Sequence, residues 1–281
     1  DLQELNVGSD VGKNNAGSMR EWALRSVFGR LNYSWNDKYL FEANFRYDGS
    51  SRFAQGNRWG FFPSFSAGYR ISEETFWQPL KPVVNEFKIR GSWGQLGNQD
   101  IDLYQFIQTI TLGQNYTFGG QLANGAAQVN LANRLISWEA TTASNIGFDM
   151  SLLDNRITVT ADFYNRITDK ILLKRDIPYT VGLGAPTQNV GSVKNTGWEV
   201  AVTYNNAIGE FKYNVNLNVS DVRNRILKYG EASVNGWTIT KEGESMNSLY
   251  GYATEGLFQS DQEVAEHAFQ NTGTRASDIR Y

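Results

Sequence analysis

A chain of 281 residues with 26 basic and 29 acidic side chains carries a net charge of −3, which offers no basic field for a polynucleotide, so no nucleic-acid partner is expected. Cysteine is absent and histidine occurs once, at His267, which excludes disulfides, thiolate metal sites, cysteine nucleophiles and any centre built on several histidines; no cofactor or metal is expected. Aromatics make up 14% of residues and no window approaches the roughly 18 apolar residues of a spanning helix, a composition that still suits a membrane β-barrel, whose alternating strands look polar on average.

The opening DLQELNVGSD lacks the basic and apolar regions of an export signal, so a leader is expected to lie upstream or to have been removed, and residues 1–20 read as a polar loop. Val27, Gly29, Leu31, Tyr33 and Trp35 then alternate with Phe28, Arg30, Asn32 and Ser34, the period of two of a half-buried strand. Asn36-Asp37-Lys38 turns the chain into a second strand, with Tyr39, Phe41, Ala43, Phe45 and Tyr47 facing one way and Glu42, Asn44, Arg46 and Asp48 the other. The Gly- and Ser-rich segment 49–60 reads as a loop, followed by a third strand over 64–71. In the connector 72–86, SEETFW starts with an N-cap serine and acids, which predicts one short helix. A fourth strand sets Phe87, Ile89, Gly91 and Trp93 against Lys88, Arg90 and Ser92.

Residues 94–135 are Gly- and Asn-rich, a long excursion for a compact soluble domain. The cleanest hairpin comes next, over 144–168. There Ile146, Phe148, Met150 and Leu152 match Ile157, Val159, Ala161 and Phe163, and Asp154-Asn155 supplies the tight turn. A connector over 169–191 precedes a second hairpin of Trp198–Tyr204 and Phe211–Val219, turned through 205–210. After a polar connector over 221–247, Leu249–Phe258 is a candidate ninth strand, and QEVAEHAF is a weak helix that leaves His267 exposed.

Connector lengths decide between architectures. Short turns at 36–38, 153–155 and 205–210 alternate with long loops at 49–60, 94–135, 169–191 and 221–247, while 72–86 is intermediate. Aromatics bracket the short turns, as at Trp35 and Tyr39 or Tyr204 and Phe211, at the level where amphipathic rings form an interfacial girdle. A soluble β-sandwich alternates as well. Strands of roughly ten residues or more, against the usual five or six, together with one-sided loops predict an all-β, antiparallel up-and-down transmembrane β-barrel with short periplasmic turns and long extracellular loops. About nine strands cannot close a large barrel, so a partial barrel is expected.

Specific words in the sequence go further. Phe45-Arg46-Tyr47-Asp48-Gly49-Ser50-Ser51-Arg52-Phe53 with Trp59-Gly60-Phe61-Phe62-Pro63-Ser64, and Lys88-Ile89-Arg90-Gly91-Ser92-Trp93-Gly94 with Gly97-Asn98-Gln99, closely resemble the barrel of SusC/RagA-type TonB-linked (TonB-dependent) outer-membrane transporters of Bacteroidetes. So do Trp138-Glu139-Ala140-Thr141, Asn195-Thr196-Gly197-Trp198-Glu199 and Tyr250-Gly251-Tyr252. The resemblance implies a 22-stranded barrel closed by an N-terminal plug, driven by TonB and lidded by a SusD-like surface lipoprotein. On this reading residues 1–281 are part of one β-barrel domain whose plug and terminal strands lie outside the chain. The chain would sit in the cell outer membrane against its lipid and serve uptake of glycans (oligosaccharides) or peptides, without enzymatic activity. Rival readings are a passive porin or adhesin barrel and a soluble carbohydrate-binding β-sandwich.

Candidate site residues follow from the same faces. Arg46 and Arg90, with Arg30, Glu42, Lys88, Asp149, Asp162, Arg166, Glu199 and Lys212, are expected to line a wet lumen, against the plug or the substrate. Loop aromatics Trp59, Tyr116, Phe118 and Trp237 are candidates to stack on sugar rings or peptide side chains, or to anchor loops and the lid protein. Asp48 and Arg52 are expected to pair and fix the 48–52 turn. Asn98, Asp100 and Asp102 offer oxygens in a row, but the ligand order and closing Glu of an EF-hand are missing, so a solvated loop is expected.

Overall fold

Alternation becomes strand wherever one face can be buried or lipid-covered. The structure, a computed structural model, describes residues 17, 19–174 and 177–281. The polar opening expected over residues 1–20 lies almost wholly outside the described residues, as do residues 175 and 176 of the 169–191 connector. Eight strands join in chain order into one antiparallel sheet: β1 (Leu24–Trp35), β2 (Tyr39–Ser50), β3 (Trp59–Arg70), β4 (Val84–Asn98), β5 (Glu139–Leu152), β6 (Ile157–Lys174), β7 (Thr187–Ile208) and β8 (Phe211–Lys228). They run from 12 to 22 residues, longer than the polar connectors suggested, because cross-strand hydrogen bonding persists past the apolar alternation.

The expected turns form with the expected chemistry at β1–β2 and β5–β6. Asn36 and Asp37 take φ of 50° and 54°, and Leu153, Asp154 and Asn155 take 53°, 56° and 62°. The β7–β8 turn is tighter than the 205–210 expected. Asn205 and Asn206 stay in the ladder opposite Asn214 and Tyr213, their amides bonded across the strands, and only Gly209 and Glu210 turn. SEETFW forms two 3-10 turns, Ile71–Glu73 and Thr75–Trp77, rather than an α-helix. Ser72 is buried and caps nothing, because Glu74 is drawn back to Lys38, Tyr39 and Tyr69 on the adjoining strands. Leu249–Phe258 does not extend the sheet. Ser248–Leu249 pairs with a small hairpin and Gly256–Leu257 with Ile279–Arg280; Gly251, Ala253 and Glu255 give this stretch no apolar row, and Gly256 turns at φ 103°. The helix Asp261–Glu266 forms, capped by Ser260; His267 stands just past it, half-buried with its ring edge on Phe258, and is not the exposed residue expected.

Register exposes the geometry. One row of directly opposed residues runs Trp35, Tyr39, Tyr69, Ile89, Phe148, Ala161, Val200, Val219 across all eight strands. It starts beside the β1–β2 turn, yet on β8 it meets Val219, eight residues above Phe211 at the β7–β8 turn. A drift of eight residues over seven strand steps corresponds to a strand tilt of roughly 40°, the inclination of a sheet that closes into a barrel. The apolar face is open to the surroundings: Phe41, Phe45, Phe65, Phe163, Leu217 and Val219 are all exposed, and among the described residues no second sheet packs on them, so a sandwich core is absent. On β2 this face runs from Tyr39 to Tyr47, nine residues, the lower end of the roughly 9–11 that a tilted transmembrane strand uses.

The buried core lies at the long-loop end. Phe53, Phe62, Ile101, Ile136 and Trp138 cluster there, with Phe106 and Leu172 against them. Phe53 and Ile136 are 0% exposed. The 51–58 loop and the 99–138 excursion therefore fold onto each other instead of standing as solvated loops. The indole N–H of Trp138 donates to the Arg58 carbonyl at 2.8 Å, and Asn189 bridges Ser137 and Lys170 from β7.

Candidate functional site

Opposite the apolar rows, the same register brings polar side chains of neighbouring strands into cross-strand pairs. Lys88, Asp149 and Thr160 form one row; Arg90, Gly147 and Asp162 form the next. Both terminal nitrogens of Arg90 donate to the Asp162 carboxylate at 2.6 Å, its Nε donates to Asp149 at 3.1 Å, and Lys88 reaches Asp149 at 2.9 Å. Asn145 adds a 2.9 Å bond to Asp162. Two cations and two carboxylates cancel, and the fork-to-carboxylate pairing fixes their orientation. Gly147 makes this possible: a Cβ there would stand 2.6 Å from the Asp162 Oδ1.

A second cluster lies nearer the long loops. Arg30 pairs with Glu42, which also accepts from Asn44 at 2.8 Å, and Arg46 donates to Asp48 at 2.6 Å. With Ser64 and Ser92 these residues border a hollow of about 880 Å³. Asp48 thus pairs with Arg46 and not with Arg52 as expected. Arg52 points away into the loop core, donating to the Ile101 carbonyl at 2.6 Å and lying over the Trp22 ring at 5.1 Å. Along β7 and β8 uncharged side chains carry the cross-strand bonding: Asn205, Asn214, Asn216 and Thr203 bond one another.

Arg46 and Arg90 both stand on this wall, but their partners on β3, Phe62 and Gly68, are six residues apart, so roughly 20 Å separates them along the strand. Trp59 opens β3 rather than sitting in the loop. Its ring stacks on Tyr47 at 4.8 Å on the apolar face, over Gly49, where a Cβ would meet the indole at 2.8 Å. Tyr116 and Phe118 share a small hairpin with ring centroids 4.9 Å apart, both about two-thirds exposed; Trp237 is 83% exposed in the 233–240 hairpin. The six residues do not converge on one site. Asp100 is a solvated loop residue, 91% exposed at its side chain. Sequence reasoning missed the loop core and Asn145; the aromatics of WGFFPS and the WEATT word were the available signal.

The TonB dependent receptor-like, beta-barrel family profile matches residues 4–274. TonB-dependent receptor P39 of Formosa agariphila is 34% identical over 278 residues, 98% of this chain and 26% of that protein. TonB-dependent receptor SusC of Bacteroides thetaiotaomicron is 36% identical over 211 residues, 73% of this chain and 21% of that one. Among solved structures, the RagAB peptide importer in its closed-closed state superposes with a TM-score of 0.76 at 27% identity, covering 89% of this chain and 29% of that one. Its open-open state gives 0.75 at 25%, covering 97% and 32%. The chain thus spans about a fifth to a third of the length of these relatives.

Proposed function

Because the chain belongs to the TonB-dependent receptor β-barrel family, we propose that residues 1–281 form part of the wall of one barrel domain in an outer-membrane nutrient importer, which admits oligosaccharides or peptides. The observation that carries this reading is the two-faced, tilted sheet, with apolar rows outside and a polar wall of cross-strand ion pairs inside. In this arrangement Arg90 and its partners face a lumen-filling plug, and Arg46 stands nearer the mouth, where a substrate enters. Tyr116, Phe118 and Trp237, exposed at the loop end, are offered to sugar rings, to peptide side chains or to a SusD-like lipoprotein that lids the mouth. Trp59 anchors the rim. TonB drives the transport through a segment of the protein that precedes the barrel. The RagAB neighbours are peptide importers, which favours the peptide arm.

The test is made on the full-length protein in its native cell. Deletion is expected to abolish growth on one class of polymer, peptide or glycan, and a tagged protein is expected to fractionate with outer membranes and copurify with a surface lipoprotein. Recovery in the soluble fraction, or unimpaired growth on both classes, overturns the reading.

A further inference from the structure

Above the apolar band, β7 and β8 carry a cluster of cations that none of the preceding chemistry uses. Lys194 and Arg225 lie directly opposite each other in the register, and Arg223 lies one row below, opposite Thr196. All three share a face with Trp198, Val200 and Val219, because side chains two apart on a strand point the same way. Like charges directly opposed on a sheet are unfavourable. Arg223 pairs with Asp221 at 3.3 Å, but neither Lys194 nor Arg225 makes an ion pair with any described residue. The carboxylates nearby are engaged elsewhere. On β6 the outward neighbours are Asn165 and Ile167, the Asp169 carboxylate one row beyond accepts from the Ser192 hydroxyl at 2.6 Å, and in the loop over the end of β8 the Glu242 carboxylate is taken by the backbone N–H groups of Tyr229 and Gly230.

Height completes the picture. Arg223 is two residues beyond Asp221, level with Trp198; Lys194 and Arg225 are four beyond that row. At the tilt derived from the register these steps raise the cations by roughly 5 and 10 Å above the tryptophan row. That is the layer where lipid headgroups sit above the hydrocarbon, and long cationic side chains extend toward it.

We infer that Lys194, Arg223 and Arg225 form an outward-facing site for the phosphate of an outer-leaflet lipid, in place of the missing counter-charge. The inference rests on the membrane-barrel reading above, and its failure is separable from that reading, since transport and membrane insertion are scored independently.

The full-length protein, purified in detergent, is incubated with lipid A bearing phosphates, with the same lipid dephosphorylated, and with inorganic phosphate, and retained lipid is read by native mass spectrometry. Phosphorylated lipid is expected to be retained and the dephosphorylated form lost. Lys194→Gln, Arg223→Gln and Arg225→Gln should each cut retention about fivefold, and the triple variant about a hundredfold. Asp221→Asn, which frees Arg223, should raise it, a gain that misfolding does not produce. Lys81→Ala at the opposite rim should change nothing. Equal retention of both lipids, full competition by inorganic phosphate at equal concentration, or no response to the glutamine variants overturns the inference even if uptake and outer-membrane insertion are normal.

Discussion

Leu153 holds a left-handed φ of 53°, a conformation that costs a side chain with a Cβ about 1 kcal/mol or more. Its amide donates to the Val83 carbonyl, and the next turn residue but one, Asn155, donates its amide to the Asn85 side chain, so the end of the β3–β4 connector and the start of β4 clamp the β5–β6 turn in place. Leu153→Gly is therefore expected to raise the unfolding free energy of the full-length barrel by up to about 1 kcal/mol, read as a shift of the denaturant midpoint. Asp154-Asn155 was legible as the turn, but the strain at Leu153 was not, because it depends on a neighbour some seventy residues away in the chain. At this scale the sequence also named Arg90, Asp149 and Asp162 as sharing a face. It could not tell that they form one neutral cluster, since that depends on register across three strands.

Among elements, the β1–β2 turn and the β3–β4 connector are tied at Glu74. It accepts from Lys38 at 2.9 Å and from the hydroxyls of Tyr69 and Tyr39 at 3.1 and 3.3 Å. The Lys38 ammonium, then the tyrosine hydroxyls, hold its carboxyl below the usual carboxylate range. A carboxylate depressed in the folded state contributes stability above its unfolded pKa and loses it as pH falls through the folded value. Acidification from about pH 5 to pH 3 is thus expected to weaken this rim in the native protein, and Glu74→Gln to remove that part of the pH dependence, measured by hydrogen exchange of 71–85. At the other end, Trp138→Ala opens the loop core at a cost of about 3–5 kcal/mol, confined to the 51–58 and 99–138 loops. Protease should then cut those loops while the sheet stays intact; cleavage unchanged from wild type argues against the core. The loop core escaped sequence reasoning because Phe53, Ile101 and Ile136 sit in segments without periodicity, and only their convergence shows what they do.

For the whole molecule, the apolar face has to meet lipid at one depth and headgroups at another. Phe65→Arg places a charge in the middle of the band, where it is expected to cost about 2–4 kcal/mol, whereas Phe61→Arg, at the Tyr47 row that ends the band, is expected to cost about 0–1 kcal/mol. Equal costs in detergent-to-bilayer refolding would deny the band its depth. Alternation of period two, the one-sided loops and a set of ordered words determined the fold class, the long strands and the family, because each is written in consecutive residues. The tilt of the sheet, the pairing of Arg46 with Asp48 rather than Arg52, the departure of Leu249–Phe258 from the sheet and the meeting of Lys194 with Arg225 were decided only by the tertiary structure. Each of these depends on which residues lie side by side on neighbouring strands, and a strand's own sequence specifies its faces but not its register.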